Sequence, residues 1–406
     1  MNTRLWSTLL WLPLALPMAA ELRAEGLEDI EGKKVSVVLQ SGTTYDDFEV
    51  ARVATSTGSG EPVRLLGTCD NGRRRTFKFD SINKITSSGE TLFEAGELTA
   101  KAQPLSKEQA AEKQKQAEHE KWLARLRARG IKPFGPISDE THAAAIAKEK
   151  KRFEEVRALL PTMQMVETEH FLFCTNIPPQ EVGVFVASLD RMYGWMQQAY
   201  GVDPEQSVWK GKAGVYAFQR EAEFRAFEMQ FMKNNASQGA QGLCHSDSDR
   251  NVCISCYQGQ NAGYFGVVLV HETSHGFIAC YQTPQRVPSW VNEGMAEVIA
   301  SKMVPSSQGV QLKEKSFVKS MFEMPQPMLG EAFFAVDQNI PFDRYGAASS
   351  MARFMLEADQ AKYVKFVQLL KEGEEWEEAL QASYNASKQQ LVSAYGQWIG
   401  IPHLMP

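Results

Sequence analysis

The sequence lacks the extremes of composition that mark special classes of protein. Its net charge is only −6 at pH 7, so we expect no broad basic surface for nucleic acid or anionic membranes. No apolar run after residue 20 reaches 18 residues, which predicts no membrane-spanning helix in the exported chain. With 6 cysteines, 29 glycines and 18 prolines among 406 residues, a disulfide scaffold, a collagen-like chain and a wholly disordered chain are all excluded.

Residues 1–20 form the one strongly apolar segment, with a basic residue followed by LWSTLLWLPLALPMAA. This layout is typical of a secretory signal peptide, with cleavage near Ala19 or Ala20. A membrane anchor is the alternative, but Pro13 and Pro17 interrupt a run that would need about 20 apolar residues. We therefore expect a secreted or periplasmic protein.

Residues 26–97 are rich in short alternating segments such as KKVSVVLQSG, separated by turn residues. Alternation of this kind predicts half-buried strands in a small β domain. The segment resembles an SH3-like or Sm-like barrel. Such a domain would either bind a protein partner or serve as a passive accessory.

Residues 100–160 are rich in Ala, Glu, Lys, Gln and Arg, and charges of both signs recur at helical spacing. This composition predicts a solvated helical connector between domains. Residues 163–305 mix strand and helix patterns, whereas residues 306–406 are mainly helical. The expected fold class is therefore α+β.

The segment VVLVHETSH at residues 267–275 carries the strongest chemical signal. His271 and His275 are four residues apart, so a helix would place both imidazoles on one face, close enough to bind one ion. Glu272 would lie about 100° around the helix, beside that ion. Catalytic zinc takes neutral imidazoles and keeps a position for water, whose proton a nearby carboxylate can accept. The same short pattern also arises by chance, so its surroundings matter.

The following segment PSWVNEGMAEVIA, residues 288–300, adds to the signal. HETSH with Glu293 18 residues after His275 resembles the gluzincin clan of zinc metallopeptidases, and most closely the peptidase MA-like families of secreted bacterial proteins. The likeness covers about residues 165–400 and implies a zincin-like catalytic domain. It implies one zinc ion, with Glu272 as general base and three ligands, His271, His275 and Glu293.

The resemblance implies two further roles. In the clan, an acidic residue four positions after the glutamate ligand orients a ligating histidine, and Glu297 stands there. An exposed helix glutamate is the alternative. A tyrosine or histidine of the C-terminal helical part stabilises the oxyanion, and Tyr345 stands at the matching place. An ordinary core or surface tyrosine is the alternative, and His170 and His245 are weaker candidates.

Four of the cysteines, Cys244, Cys253, Cys256 and Cys280, lie near these segments. We predict one or two structural disulfides among them, which agrees with export to an oxidising compartment. The six cysteines allow 15 pairings, so the connectivity stays open. A redox or zinc role for Cys253 and Cys256 lacks the βαβ context or the second cysteine pair that it would need.

The residues and the resemblance together predict a zinc-dependent metallopeptidase that acts on a peptide or protein substrate, with a zinc-activated water as nucleophile. The Gly-x-Met-Glu-Asn strand of gluzincin aminopeptidases is absent before residue 263, which argues against a typical aminopeptidase. Two alternatives stay open. One is a non-catalytic envelope protein, binding or structural, that retains a zinc site, and the other is a zinc hydrolase of non-peptide substrates.

Overall fold

The computed structural model describes residue 27 and residues 30–56, 62–94, 107–260 and 262–406. The chain divides into two compact units, an N-terminal unit of residues 1–114 and a C-terminal unit of residues 115–406. The predicted signal peptide lies outside the described residues. So do residues 95–106, where the predicted β domain ends and the predicted connector begins.

The N-terminal unit contains six described strands: β1 (Lys34–Leu39), β2 (Thr44–Thr55), β3 (Pro62–Thr68), β4 (Arg74–Lys78), β5 (Ile82–Ser87) and β6 (Glu90–Glu94). They form one antiparallel sheet in the order β4-β3-β2-β1-β5-β6. The alternation in β1 buries Val35 and Val37 and turns Ser36, which lies between them, outward. The predicted β-rich segment is therefore present.

The core of this sheet is formed mainly by Val35, Val37, Phe48, Val50, Leu65, Phe77, Phe79, Ile82 and Ile85. Register shifts interrupt the pairing of β2 with β1 and with β3, and such irregularities bend a strand. Among the described residues the sheet is open, because β4 and β6 each pair with a single neighbour. The closed barrel that the sequence favoured is not shown.

The C-terminal unit has a second sheet of five strands: β7 (Gln164–Glu167), β8 (Phe171–Thr175), β9 (Ala213–Phe218), β10 (Gly242–Ser246) and β11 (Val252–Tyr257). Their order is β10-β11-β9-β8-β7. The inner strands β8, β9 and β11 are parallel, and β7 and β10 lie antiparallel at the edges. Every residue of β8 and β9 is buried, as expected where helices cover both faces.

The described helices are α1 (Lys107–Ala128), α2 (Asp139–Leu159), α3 (Pro179–Tyr200), α4 (Glu221–Phe227), α5 (Ala262–Cys280), α6 (Ser289–Met303), α7 (Gly309–Phe322), α8 (Glu331–Phe334), α9 (Tyr345–Ala358), α10 (Gln360–Lys371), α11 (Trp376–Tyr384) and α12 (Lys388–Trp398). A π-helical turn, Glu228–Met232, follows α4. The α+β class and the helical C-terminal part are as predicted. None of the helices in the described parts of the chain combines the length and the apolar character needed to cross a bilayer.

Helices cover the second sheet on both faces. Phe153 of α2 and Phe224 of α4 pack on one face. On the other face lie α3 and α5, where Phe185 meets Phe265 edge-on at a ring distance of 5.0 Å. One hydrophobic cluster on this second side runs from Phe171 to Leu404, so the predicted segments 163–305 and 306–406 share a core.

The helices predicted as a connector are present, but α2 is more than a solvated spacer. Phe153 and Val156 are buried, and so is Glu149, whose Oε1 accepts a hydrogen bond from the Tyr216 hydroxyl at 2.9 Å. Burial raises the pKa of Glu149. The buried face of α2 was not predicted, because it is narrow and charged residues dominate the composition of this segment.

Candidate metal centre

Helix α5 carries the histidines across one face of the sheet. Its apolar segment, residues 267–270, is buried, as are Thr273 and Ser274. Those two hydroxyls donate to the carbonyls of Leu269 and Val270, each at 2.7 Å, so the buried polar groups are satisfied within the helix. The helix therefore lies in the core while its histidines face away from the apolar packing.

Helix α6 carries the two glutamates. Trp290, near its start, is fully buried among aromatic rings that include Phe333 and Trp376, which anchors the first turn. A Cβ at Gly294 would lie 2.3 Å from the Ala348 carbonyl oxygen, so only glycine allows α6 to approach α9 this closely. The glycine next to Glu293 is thus explained by packing.

Three ligand atoms converge between α5 and α6. His271 Nε2 lies 3.1 Å from His275 Nε2 and 3.1 Å from Glu293 Oε2, and His275 Nε2 lies 3.5 Å from Glu293 Oε2. Ligands of a tetrahedral zinc ion are about 3.3 Å apart, which these separations bracket. Among the described residues, this is the group of His, Cys, Asp and Glu side chains that could hold a metal ion.

The pKa values of His275 and Glu293 indicate that this cluster favours a positive charge. Burial lowers the pKa of His275, but the Glu293 carboxylate outweighs burial and raises that pKa to about 9. Burial also favours a protonated Glu293, but His275 and His271 outweigh it and hold the pKa of Glu293 well below its usual range. A proton on His275 thus takes the electrostatic role that a bound cation would have beside Glu293.

Glu297 contacts His271 at Nδ1, the ring nitrogen that does not belong to the converging group. Its Oε1 lies 3.5 Å from His271 Nδ1 and 2.5 Å from the Lys313 ammonium of α7. Glu297 is only 1% exposed, so the alternative of an exposed helix glutamate is wrong. A carboxylate at Nδ1 favours the tautomer whose Nε2 lone pair is free to bind a metal.

Glu272, the predicted general base, lies next to His271 in the chain but outside the converging group. It is half-buried and packs against the edge strand β10. A Cβ at Gly242 would approach Glu272 Cγ to 2.8 Å, so this glycine leaves room for the glutamate. The carboxylate is therefore held beside the cluster without occupying a ligand position.

Tyr345 is the first residue of α9 and is half-buried. Burial raises its pKa, and the carboxylates of Glu293, Glu272 and Glu297 raise it further, so the phenol stays protonated. A protonated phenol is a hydrogen-bond donor. The influence of the three carboxylates indicates that Tyr345 lies near the cluster, and its role as an oxyanion donor stays a prediction.

The structure places the two weaker candidates elsewhere. His170 stacks on Tyr193 with a ring distance of 3.8 Å, which is an ordinary packing role. His245 Nε2 lies 2.9 Å from Glu228 Oε1, on the side of the sheet away from α5. The contact of Lys313 with Glu297 was not predictable from the sequence, because nothing in GVQLKEKS distinguishes this lysine from a surface lysine.

The predicted disulfides are not formed, because all six cysteines are thiols in the structure. Strand β11 turns Cys253 toward α2 and α4 and Cys256 toward α5, so these two side chains point to opposite faces. Burial raises the pKa of Cys244, Cys253 and Cys256, and it raises that of Cys280 to about 12. Thiols of this kind are poor nucleophiles and behave as core residues.

The chain matches no protein-family model, and no curated protein is similar to it in sequence. The fold and the site define an α+β protein whose second unit carries two histidines and a glutamate that could bind a metal ion.

Proposed function

We propose that this protein is a secreted or periplasmic zinc metallopeptidase of gluzincin type, with a zincin-like C-terminal unit. The convergence of His271, His275 and Glu293 carries the proposal, because two imidazoles and a glutamate are a ligand set of catalytic zinc. Glu272 beside that cluster supports hydrolysis rather than a purely structural metal site. The expected substrate is a peptide or a protein.

Each residue of the site has a separate role in the proposed hydrolysis. A zinc ion held by His271, His275 and Glu293 would supply Lewis acidity near neutral pH. Glu272 would accept a proton from the water that attacks the peptide carbonyl carbon, and would return it to the amine as the carbon–nitrogen bond breaks. Tyr345 donates a hydrogen bond to the carbonyl oxygen as negative charge develops there. Glu297 and Lys313 hold His271 in the ligating orientation.

The N-terminal unit is assigned an accessory role. An SH3-like barrel is the fold proposed for it, supported by one antiparallel sheet around a single core. Binding of a protein partner is the function that such a domain would add to the peptidase.

The decisive experiment compares the wild-type protein with Glu272→Gln. Both proteins are expected to bind one zinc ion, because Glu272 is not a ligand. Cleavage of a peptide library should fall by roughly 10²- to 10⁴-fold in the variant, as expected when a general base is lost. Glu378→Gln, at an exposed glutamate of α11, is the matched control and should cleave at the wild-type rate.

The other outcomes separate the alternatives. Zinc binding without cleavage of any peptide would favour the non-catalytic envelope protein. Cleavage of esters or other non-peptide substrates alone, with loss in Glu272→Gln, would favour the non-peptide hydrolase. A wild-type protein that binds no zinc after gentle purification would contradict the proposal.

A further inference from the structure

A short segment joins the two helices that carry the candidate metal ligands. Helix α5 ends at Cys280, five residues after His275, and α6 begins at Ser289, four residues before Glu293. Residues 281–288 between them therefore set the distance and the angle at which the two helices present their ligand side chains. Contacts that fix the conformation of this segment bear directly on the geometry of the metal centre.

Lys371, the last residue of α10, joins the end of α5 to this segment. The lysine is fully buried. Its Nζ donates to the carbonyls of Ile278 at 2.9 Å and Ala279 at 3.4 Å, in the last turn of α5. It also donates to the carbonyl of Gln285 at 2.7 Å, in the segment that leads into α6. An ammonium group has three protons, so these bonds use all of its donors.

The contact between Lys371 and the segment is reciprocal. The Lys371 carbonyl oxygen accepts a hydrogen bond from the hydroxyl of Thr283, which is also fully buried. Thr283 Oγ1 in turn accepts a hydrogen bond from the backbone N–H of Gln285 at 3.2 Å. The side chain and the backbone of one lysine therefore hold the segment at two places. Buried polar networks whose members are satisfied in this way favour a single conformation.

Lysine is a costly residue at this buried position. Burial lowers the pKa of Lys371 to about 7. The carboxylate next in the chain, Glu372, is bound to the Arg125 guanidinium by hydrogen bonds of 2.8 and 3.0 Å. An apolar side chain of similar length, such as methionine, would fill the space without the cost of burying a charge. It could not satisfy the carbonyls at the C-terminal end of α5, where the helix itself has no further N–H groups to donate.

We infer that Lys371 is a positioning residue of the metal centre, because it joins the end of α5 to the segment that leads into α6 and so sets where Glu293 lies relative to the two histidines. None of the three hydrogen bonds of its ammonium reaches a ligand side chain, so the lysine acts through the placement of the helices. The inference rests on the proposed metal site. It adds to that site a residue from α10, about 80 residues after the glutamate ligand.

The test measures metal binding by the full chain rather than turnover. Co²⁺ is one probe, because its visible absorption spectrum depends on the geometry of its ligands. Zn²⁺ affinity is measured in parallel by competition with a chromogenic chelator. In Lys371→Met we expect the Zn²⁺ affinity to fall by about 2- to 30-fold, the range of couplings transmitted through packed networks, and the Co²⁺ spectrum to change. Lys371→Arg keeps a cation with N–H donors and should lie closer to the wild type in both measurements.

Two controls separate positioning from general destabilisation. Lys365→Met removes another lysine of α10, whose Nζ donates to the carbonyl of Ala382 on α11 at 3.0 Å. Val156→Ala removes buried volume from α2, on the face of the sheet opposite α5, and should lower the melting temperature. Both controls are expected to keep the wild-type Zn²⁺ affinity and Co²⁺ spectrum. Thr283→Val, which removes only the reciprocal hydrogen bond, is a second test variant and should weaken Zn²⁺ binding in the same direction as Lys371→Met.

The inference is overturned if folded Lys371→Met and Thr283→Val proteins bind Zn²⁺ with the wild-type affinity and give the wild-type Co²⁺ spectrum, and the proposed function would then still stand. An equal loss of affinity in Val156→Ala would also overturn it, because the effect would then follow from lower stability alone. A wild-type protein that binds neither ion would contradict the proposed function, and the inference would fail with it.

Discussion

The Lys313 ammonium and the His271 imidazole share one oxygen of Glu297. Oε1 of this buried carboxylate lies 2.5 Å from Lys313 Nζ and 3.5 Å from His271 Nδ1, whereas Oε2 is buried without a hydrogen-bond partner. Lys313 also lies over the Tyr264 ring at 5.7 Å, and Glu297 raises the pKa of the lysine against the opposing effect of burial. The lysine therefore holds the carboxylate that contacts His271, one of the three residues that could bind a metal ion.

Replacing this lysine tests that relationship. In Lys313→Met the buried Glu297 carboxylate loses the cation that holds its Oε1, which weakens its hold on His271. We expect zinc affinity to fall by roughly 10- to 100-fold, the range for residues that support a ligand. Competition with a chromogenic chelator measures it. Lys313→Arg should restore most of the affinity, and Lys319→Met on the same helix is the control. Unchanged affinity in Lys313→Met would assign the lysine a packing role only.

Loss of the carboxylate ligand should abolish the effect of zinc on stability. Zinc bound to the folded state at 100 times its Kd adds about 2.7 kcal/mol to the free energy of unfolding. In Glu293→Gln the neutral amide cannot replace the charge, so the thermal shift on adding zinc should disappear. Differential scanning calorimetry with zinc and with chelator checks this, with Glu378→Gln as control. A wild-type shift in Glu293→Gln would remove Glu293 from the ligand set.

Tyr345→Phe separates binding of the metal from stabilisation of the transition state. Removing one oxyanion donor typically costs 10²- to 10³-fold in rate. We expect kcat/KM on a cleaved peptide to fall by about that factor while zinc content and melting temperature stay at wild-type values. Steady-state kinetics on a defined peptide measure the change. Equal rates in the two proteins would show that Tyr345 is an ordinary core or surface tyrosine.

Glu228 makes the stability of the folded protein depend on pH, and this effect does not involve the metal centre. This carboxylate is fully buried and accepts hydrogen bonds from Ser255 Oγ at 2.5 Å and Asn234 Nδ2 at 2.6 Å, with His245 Nε2 at 2.9 Å. Burial favours its protonated form, but His245, Ser255 and Asn234 outweigh burial and lower the pKa of Glu228. Because the pKa is lowered in the folded state, ionised Glu228 stabilises the folded protein at pH values above the pKa of the unfolded chain, about 4.3. This stability is lost as the pH falls through the folded-state pKa.

The Glu228→Gln variant isolates this contribution. At pH 7 we expect its free energy of unfolding to be lower by about 2–3 kcal/mol, the loss of hydrogen bonds to a charged acceptor. The difference from wild type should shrink as the pH is lowered below about 4, because protonation then removes the same charge from the wild-type protein. Urea denaturation at several pH values measures it, with Glu378→Gln as control. A difference that does not vary with pH would contradict the charged state of Glu228.

The candidate site was predictable to the extent that it is local. His271 and His275 share a face because a helix has 3.6 residues per turn, and the same periodicity relates Glu293 to Glu297. The helical character of residues 306–406 followed from composition and spacing as well. The role of Glu293 came only from resemblance, since no pattern in the chain states that α6 lies against α5.

The predictions that were wrong concern contacts between segments that are distant in the chain. The predicted disulfides are not formed. Strand geometry excludes a bond between Cys253 and Cys256, whose side chains lie on opposite faces of the sheet, but it does not by itself explain why Cys244, Cys256 and Cys280, which share one face, are not paired. The connector helix α2 proved to be a layer of the core, since its buried face is narrow and its charges dominate the composition.

By itself, the sequence determined which residues are candidates to bind a metal ion, because ligand type and helical spacing are local properties of the chain. Tertiary structure decided which of them meet. Glu293 reaches the histidines through the packing of α6 on α5, and Lys313 reaches Glu297 from another helix. Gly294 lets α6 approach α9, and Gly242 leaves room for Glu272 beside β10, in each case because the glycine has no side chain. Such contacts depend on the close packing of a whole core, a property that no short segment encodes.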